Sequence, residues 1–169
     1  LLAIGGGTGK KKGAEFMAVT DIAALNIPAG KRLLGLDLGE KNIGLALSDT
    51  SLSIATPMQT LKRGKFAADA AKLDIIIGEQ GVGGLVVGLP LNMDGSDGPS
   101  AQSARAFGRN WANHSPLPVI FQDERLSTSA VTRTLIEADS SRKRRSEVVD
   151  KMAAAYILQI ALDRLRTTR

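Results

Sequence analysis

The chain has 169 residues, 43% hydrophobic and 23% charged, which suits one globular domain with a sizeable core. It contains no cysteine and one histidine, which excludes disulfides, thiolate metal sites and a multi-histidine zinc centre. The formal charge of +5 points weakly to an anionic partner, and no apolar run reaches the roughly 18 residues of a membrane span.

Residues 1–16 are rich in Gly and Lys, and Glu15-Phe16 before Met17 is what a common cloning site encodes. This segment reads as a cloning-derived leader, with a natural start at Met17. It carries a net +2 through Lys10, Lys11, Lys12 and Glu15, so the basic signal of the remainder is softer. Residues 17–31 read as an N-terminal extension, a helical turn and a loop punctuated by Pro28-Ala29-Gly30. Residues 32–169 form the domain. No secretory signal is visible, and the expectation is a cytoplasmic protein.

Arg32 to Leu38 reads as a strand, Asn42 to Ser48 as a second, and Ile54 to Leu61 as a third that Pro57 interrupts. Their short connections predict an antiparallel meander. Lys65 to Gln80 has helical spacing, with Phe66, Ala70, Leu73 and Ile77 on one face. The continuous apolar run Gly84 to Leu89 predicts a central strand. Ser100 to Trp111 predicts a helix, and His114 just beyond it reads as a helix-end histidine suited to the dipole. Pro118 to Gln122 predicts a fifth strand. Two helices follow, Thr128 to Ala138 and, after a basic loop, Ser146 to Leu165 with Ser146 as N-cap. The order predicts a layered α/β domain around a five-stranded mixed sheet, strands 1, 4 and 5 parallel.

Ligands of such sheets gather beyond the carboxyl ends of parallel strands. Asp37 sits inside an apolar run, and a carboxylate there is costly unless something positive meets it. Glu124 should arrive at the same edge, and Asp150 comes from the last helix, whose Ala153-Ala154-Ala155 allows close approach to the sheet. Strands about 4.8 Å apart put Glu124 near 10 Å from Asp37 at the backbone, so it must reach inward or act through water. Three carboxylates without histidine or cysteine form an all-oxygen site suited to Mg²⁺, or to Mn²⁺. Two such ions can serve phosphodiester hydrolysis without a covalent intermediate. Asp49 ends the antiparallel second strand and reads as a turn residue at the opposite edge. Asp94 before Gly95 reads as a turn residue too, with a share in metal binding as the alternative.

Four segments also resemble the motifs of the YqgF, or RuvX, family. They are Leu36-Asp37-Leu38-Gly39-Glu40-Lys41-Asn42-Ile43-Gly44, Val87-Gly88-Leu89-Pro90-Leu91-Asn92-Met93-Asp94-Gly95, Asp123-Glu124-Arg125-Leu126-Ser127-Thr128, and Asp150-Lys151-Met152-Ala153-Ala154. In this order they cover nearly all of residues 32–166. The resemblance implies an RNase H-like fold, a divalent-metal nuclease with Asp37, Glu124 and Asp150 as its acids, and a bacterial cytoplasmic role. It implies 5′-end maturation of precursor 16S rRNA, in contact with pre-ribosomal particles, or resolution of Holliday junctions in branched DNA. The acid that many RNase H-like nucleases carry at the end of the fourth strand is replaced here by Leu89-Pro90.

Lys41, Asn92 and Arg125 are candidate contacts for a nucleic-acid backbone near the acids. Arg142-Lys143-Arg144-Arg145 forms a basic cluster that attracts phosphates without reading sequence. An aromatic content of 4% argues against a stacking platform for single strands. Two other readings stay open. One is a catalytically weak nucleic-acid-binding factor in ribosome biogenesis. The other is an actin-like or sugar-kinase ATPase, whose first phosphate loop Asp37-Leu38-Gly39 resembles but whose second domain does not fit in 169 residues. Junction resolution would call for a symmetric dimer.

Overall fold

A computed structural model describes Ile22, residues 25–125 and residues 142–168, excepting the side chains of 142–146. Its elements are β1 (Arg32–Leu38), β2 (Asn42–Ser48), β3 (Ala55–Lys62), α1 (Phe66–Gln80), β4 (Val82–Leu89), α2 (Pro99–His114), β5 (Val119–Asp123) and α3 (Arg142–Thr167). The five strands form one sheet in the order β3-β2-β1-β4-β5. β1 and β2 pair antiparallel, as do β2 and β3, while β4 lies parallel to β1 and β5 parallel to β4. This is the expected mixed sheet. Pro57 is accommodated because β3 is an edge strand whose register shifts opposite Leu45 and Ala46.

Alternation along the strands feeds two cores. Leu34, Leu36, Leu85, Val87, Val119 and Phe121 face α1 and α2, where Leu73, Phe107 and Trp111 fill the layer. Leu33, Ala46, Val86 and Ile120 face α3, against Ala154, Ile157, Leu158 and Leu162. α1 stops at Gly81, whose φ of 62° sets a left-handed cap and whose N–H donates to the Ile77 carbonyl. Gly35 on β1 meets α3 so closely that a methyl group there would sit 2.8 Å from Leu158 Cβ and 2.9 Å from the Ala154 carbonyl oxygen. Small residues on both partners bring this helix down onto the sheet.

The last helix departs from expectation. Arg142, Lys143, Arg144 and Arg145 lie in its opening turn rather than in a loop, and Ser146 is inside the helix rather than its cap. Arginine and lysine are strong helix formers, and a run of four does not break the pattern. The leader at 1–16, residues 17–21, 23 and 24 of the extension, and the helix expected at 128–138 lie outside the described residues.

Candidate functional site

The carboxyl ends of β1, β4 and β5 share one sheet edge, and Asp37 stands one residue short of it. Alternation turns Asp37 toward α3, on the face of Leu33 and Gly35. Its cross-strand partner on β2 is Gly44, which in turn pairs with Thr60 on β3. On the other side β1 pairs with β4 through Leu36 and Val87, so the next β4 residue, Gly88, flanks Asp37, and Gly88 pairs with Gln122 on β5. Across the sheet the row runs Thr60, Gly44, Asp37, Gly88, Gln122. Asp37 is 8% exposed, with a glycine on either side.

Both glycines are used. A methyl group on Gly44 would overlap the Asp150 carbonyl and sit 2.9 Å from the Lys151 amide nitrogen, so α3 crosses β2 with its backbone against the strand. A methyl group on Gly88 would overlap Glu124 Oε1, 3.1 Å from the Glu124 Cδ and 2.6 Å from Ile157 Cδ1. Glu124 therefore folds back from the end of β5 across β4, toward Asp37. That inward reach closes much of the two-strand gap anticipated from strand spacing. Asp150 is half-buried, and its backbone lies over the immediate neighbour of Asp37.

Surrounding contacts fix these positions. Thr60 Oγ1 donates to the Glu147 carbonyl at 2.7 Å, tying β3 to α3 one turn before Asp150. At the other end of the row Arg164 Nη1 donates to Gln122 Oε1 at 3.0 Å. Gln159 spans α3 and the start of β3, accepting from Ala55 N at 2.9 Å and donating to the Ser53 carbonyl at 3.0 Å. Arg63, just after β3, donates to the Gly39 carbonyl and to Ser103 Oγ, both at 2.8 Å, while its own N–H donates to the Lys41 carbonyl at 2.8 Å. The turn that follows Asp37 is thereby strapped to β3 and α2.

Arg125 pairs with Asp123 rather than Glu124, with Nη2 and Oδ2 2.7 Å apart. The hydrogen bond from the Arg125 side chain, helped by its backbone N–H and by the charge of Arg164, holds the Asp123 carboxyl below the usual range. Asn92 is tied into its own loop, its Nδ2 donating to Ser96 Oγ at 3.0 Å and its carbonyl accepting from Gly95 N at 2.8 Å. Asp94 accepts from Ser96 N at 2.9 Å ahead of Gly95, whose φ is 88°, as a turn residue does. The Ser96 hydroxyl, then its backbone N–H, then the charge of Arg125 lower the Asp94 pKa. Lys41 is exposed in the β1–β2 turn.

Asp49 lies at the far edge, accepting from Ser53 N at 2.8 Å, Ile54 N at 3.0 Å and the Ser51 hydroxyl. These bonds lower its pKa to about 2, the Ser51 hydroxyl contributing most. His114 ends α2 and pairs with Asp74 at 2.7 Å, remote from the row. Sequence reasoning missed Gly44, Gly88, Gln122 and Arg63. The signal for the glycines was their phase, since each aligns with Asp37 once the strands are put in register.

Among the described residues, no three acidic or histidine side chains are drawn close enough to form a ready-made metal cluster. The donor chemistry nonetheless suits a divalent cation. A buried carboxylate, a second folded toward it over a glycine and a third from the helix pressed on the other glycine offer only oxygen ligands. Asp37, Glu124 and Asp150 each already have a polar or charged partner, so ion binding would exchange contacts rather than create the first ones.

The mixed five-stranded sheet in the order β3-β2-β1-β4-β5, with helices on both faces, is that of an RNase H-like domain. Its fold matches that of Thermus thermophilus RuvC, solved in complex with a Holliday junction substrate, with a TM-score of 0.50, 14% sequence identity and coverage of 81% of this chain and 97% of that one. The family model described as "RuvX: Holliday junction resolvase" matches residues 31–164, and the chain belongs to that family. It is 65% identical over 133 residues to a protein of Paramagnetospirillum magneticum, covering 79% of this chain and 86% of that one. It is 59% identical over 158 residues to a protein of Roseobacter denitrificans, covering 92% and 93%. Both relatives bear the name "Putative pre-16S rRNA nuclease".

Proposed function

We propose that this chain is a divalent-metal-dependent nuclease that hydrolyses phosphodiester bonds, acting in 5′-end maturation of precursor 16S rRNA. The observation that carries the reading is the carboxylate of Glu124 lying over Gly88, beside Asp37 at the carboxyl edge of the parallel strands. The name borne by the two relatives quoted above supports the RNA substrate.

Asp37, Glu124 and Asp150 would hold Mg²⁺ or Mn²⁺ through carboxylate oxygens. Bound there, the ion supplies an acidified water and neutralises charge on the phosphodiester. The rest is work of the chain itself. α3 and the sheet fix Asp37 and Asp150 relative to one another through the Gly44 contact, and Glu124 completes the set from β5. With the backbones fixed, only the three side chains would have to exchange their present partners to hold the ion. Lys41 and the 142–145 segment attract the phosphate backbone without reading bases. Arg125 and Asn92 are engaged with Asp123 and with Ser96, and so shape the two loops that bound the acids on the β4–β5 side. An rRNA precursor as substrate implies a cytoplasmic protein working on pre-ribosomal particles. Among the described residues no helix is long and apolar enough to cross a membrane.

The family description favours a second substrate, four-way branched DNA. Cleavage of precursor 16S rRNA and of a four-way DNA junction, side by side, separates the two. Each is run with magnesium, with chelator and with Asp150→Asn protein. RNA cleavage at the precursor 5′ end, lost in chelator and in the variant, is the expected result. Cleavage that persists in chelator removes the metal reading, and symmetric junction cutting without RNA cleavage transfers it to DNA.

A further inference from the structure

The sheet edge beside Asp37 is electrically lopsided. On the β4–β5 side its charges are neutralised internally. Asp97 pairs with Arg105 at 2.6 Å, Asp123 pairs with Arg125, and Asp94 is bonded to Ser96 with Arg125 nearby. On the β2–β3 side stand Lys41, Lys62 and Lys65, all exposed, and among the described residues none of the three is paired with a carboxylate. Glu40 is the one exposed acid in the adjoining turns, from 39 to 41 and 63 to 65.

The lysines are brought together by the fold. Lys62 pairs with Asn42, the residue after Lys41, and the Arg63 N–H donates to the Lys41 carbonyl. Lys62 stands two residues past Thr60, and Thr60 belongs to the row of Asp37 and touches α3. Lys62 is therefore on the face of Asp37, one pleat nearer the edge. Lys65 follows three residues later, at the N-terminal boundary of α1. α3 passes over Thr60 at Glu147, and its basic opening turn, 142–145, continues beyond that point.

We propose that Lys62 and Lys65, with Lys41, form a track for a sugar–phosphate backbone, which holds the substrate on the β2–β3 side of the acids. This rests on the nuclease reading and gives the substrate a direction: the flanking nucleic acid leaves the scissile phosphate toward β3, not toward the loop at 90–98. Lysines contact phosphate as point charges, so the track holds backbone irrespective of sequence. Arg63 is not part of it, because its guanidinium already serves Gly39 and Ser103.

The test is the salt dependence of binding, read by fluorescence anisotropy on a labelled precursor 16S rRNA fragment, with calcium in place of magnesium to suppress cleavage. Two phosphate contacts contribute about 1.4 to 1.8 to the slope of log affinity against log salt, on the order of 30-fold in affinity at 0.1 M salt. Lys62→Ala/Lys65→Ala protein should lose both, with an unchanged melting temperature because the two side chains are exposed. Lys72→Ala, an exposed lysine on α1, should leave slope and affinity unchanged. A double variant with the parent slope overturns the track and leaves the nuclease reading standing. A parent protein that binds neither this RNA nor a four-way DNA junction overturns both. An equal loss in Lys72→Ala protein shows diffuse attraction and overturns the track.

Discussion

Gly44→Ala probes the glycine that, among those described, leaves an added methyl group the least room. The new methyl group would overlap the Asp150 carbonyl and sit 2.9 Å from the Lys151 nitrogen, where non-bonded atoms prefer about 3.5 Å or more. The obstacle is helix backbone, which no rotamer change relieves, so α3 must withdraw by about 1 Å. That loosens Ala154 and Leu158 from Gly35, a contact now at 2.8–2.9 Å for an added carbon. Overpacking of well-packed cores costs typically 1–3 kcal/mol, and a clash with backbone belongs at the top of that range, about 3 kcal/mol. The withdrawal also carries Asp150 away from Asp37, and a misplacement of about 1 Å can reduce a rate on the order of a hundredfold. Urea denaturation should therefore show a clearly lowered midpoint, and cleavage of precursor RNA below that midpoint should still be severely reduced. A variant within about 0.5 kcal/mol of the parent would mean that α3 does not rest on β2 as described.

Gly88→Ala should behave differently, because the atoms it meets are the ends of the flexible Glu124 and Ile157 side chains. Stability should fall by only about 1 kcal/mol while cleavage falls on the order of a hundredfold, and a parallel loss of both would contradict an inward-folded Glu124. Arg63→Ala removes two donors from Gly39 and Ser103, a loss of about 2 kcal/mol for a half-buried cation, with a raised KM as the turn bearing Lys41 loosens. Denaturation and steady-state cleavage check the two effects. Asp49, with its pKa lowered to about 2, stabilises the β2–β3 turn above the ordinary carboxylate range, and that contribution disappears as pH falls from about 4 to about 2. The Asp49→Asn protein should lose this part of the acid limb in melting temperature between those pH values, and an unaltered limb would refute the assignment.

The architecture was legible because its signals are local. Leu33 to Leu38 is apolar apart from Asp37, the run to Leu89 is apolar throughout, and the turns between the first three strands are too short for a crossover. Boundaries moved by a residue or so, as in β3, which starts at Ala55 and ends at Lys62. The start of the last helix is hidden in the sequence because Arg142 to Arg145 look like a charged loop yet are helix-forming side chains. The three acids could be picked out from their place at strand ends and on the last helix. What makes room for them could not. Gly44 matters because Asp150, more than a hundred residues away, presses on it, and Gly88 because Glu124 folds across a strand. Arg63 looks like an ordinary basic residue until its bonds to Gly39 and Ser103 are seen. Such roles depend on register and helix placement, which tertiary packing sets.

The most direct measurement is a calorimetric titration of manganese into the parent protein and into Asp37→Asn and Glu124→Gln proteins, with denaturation curves to confirm that all three are folded. The expected result is saturable uptake by the parent that is strongly weakened in each variant. Uptake that is absent from the folded parent, or equal in all three proteins, would contradict a cation held between β1, β5 and the last helix.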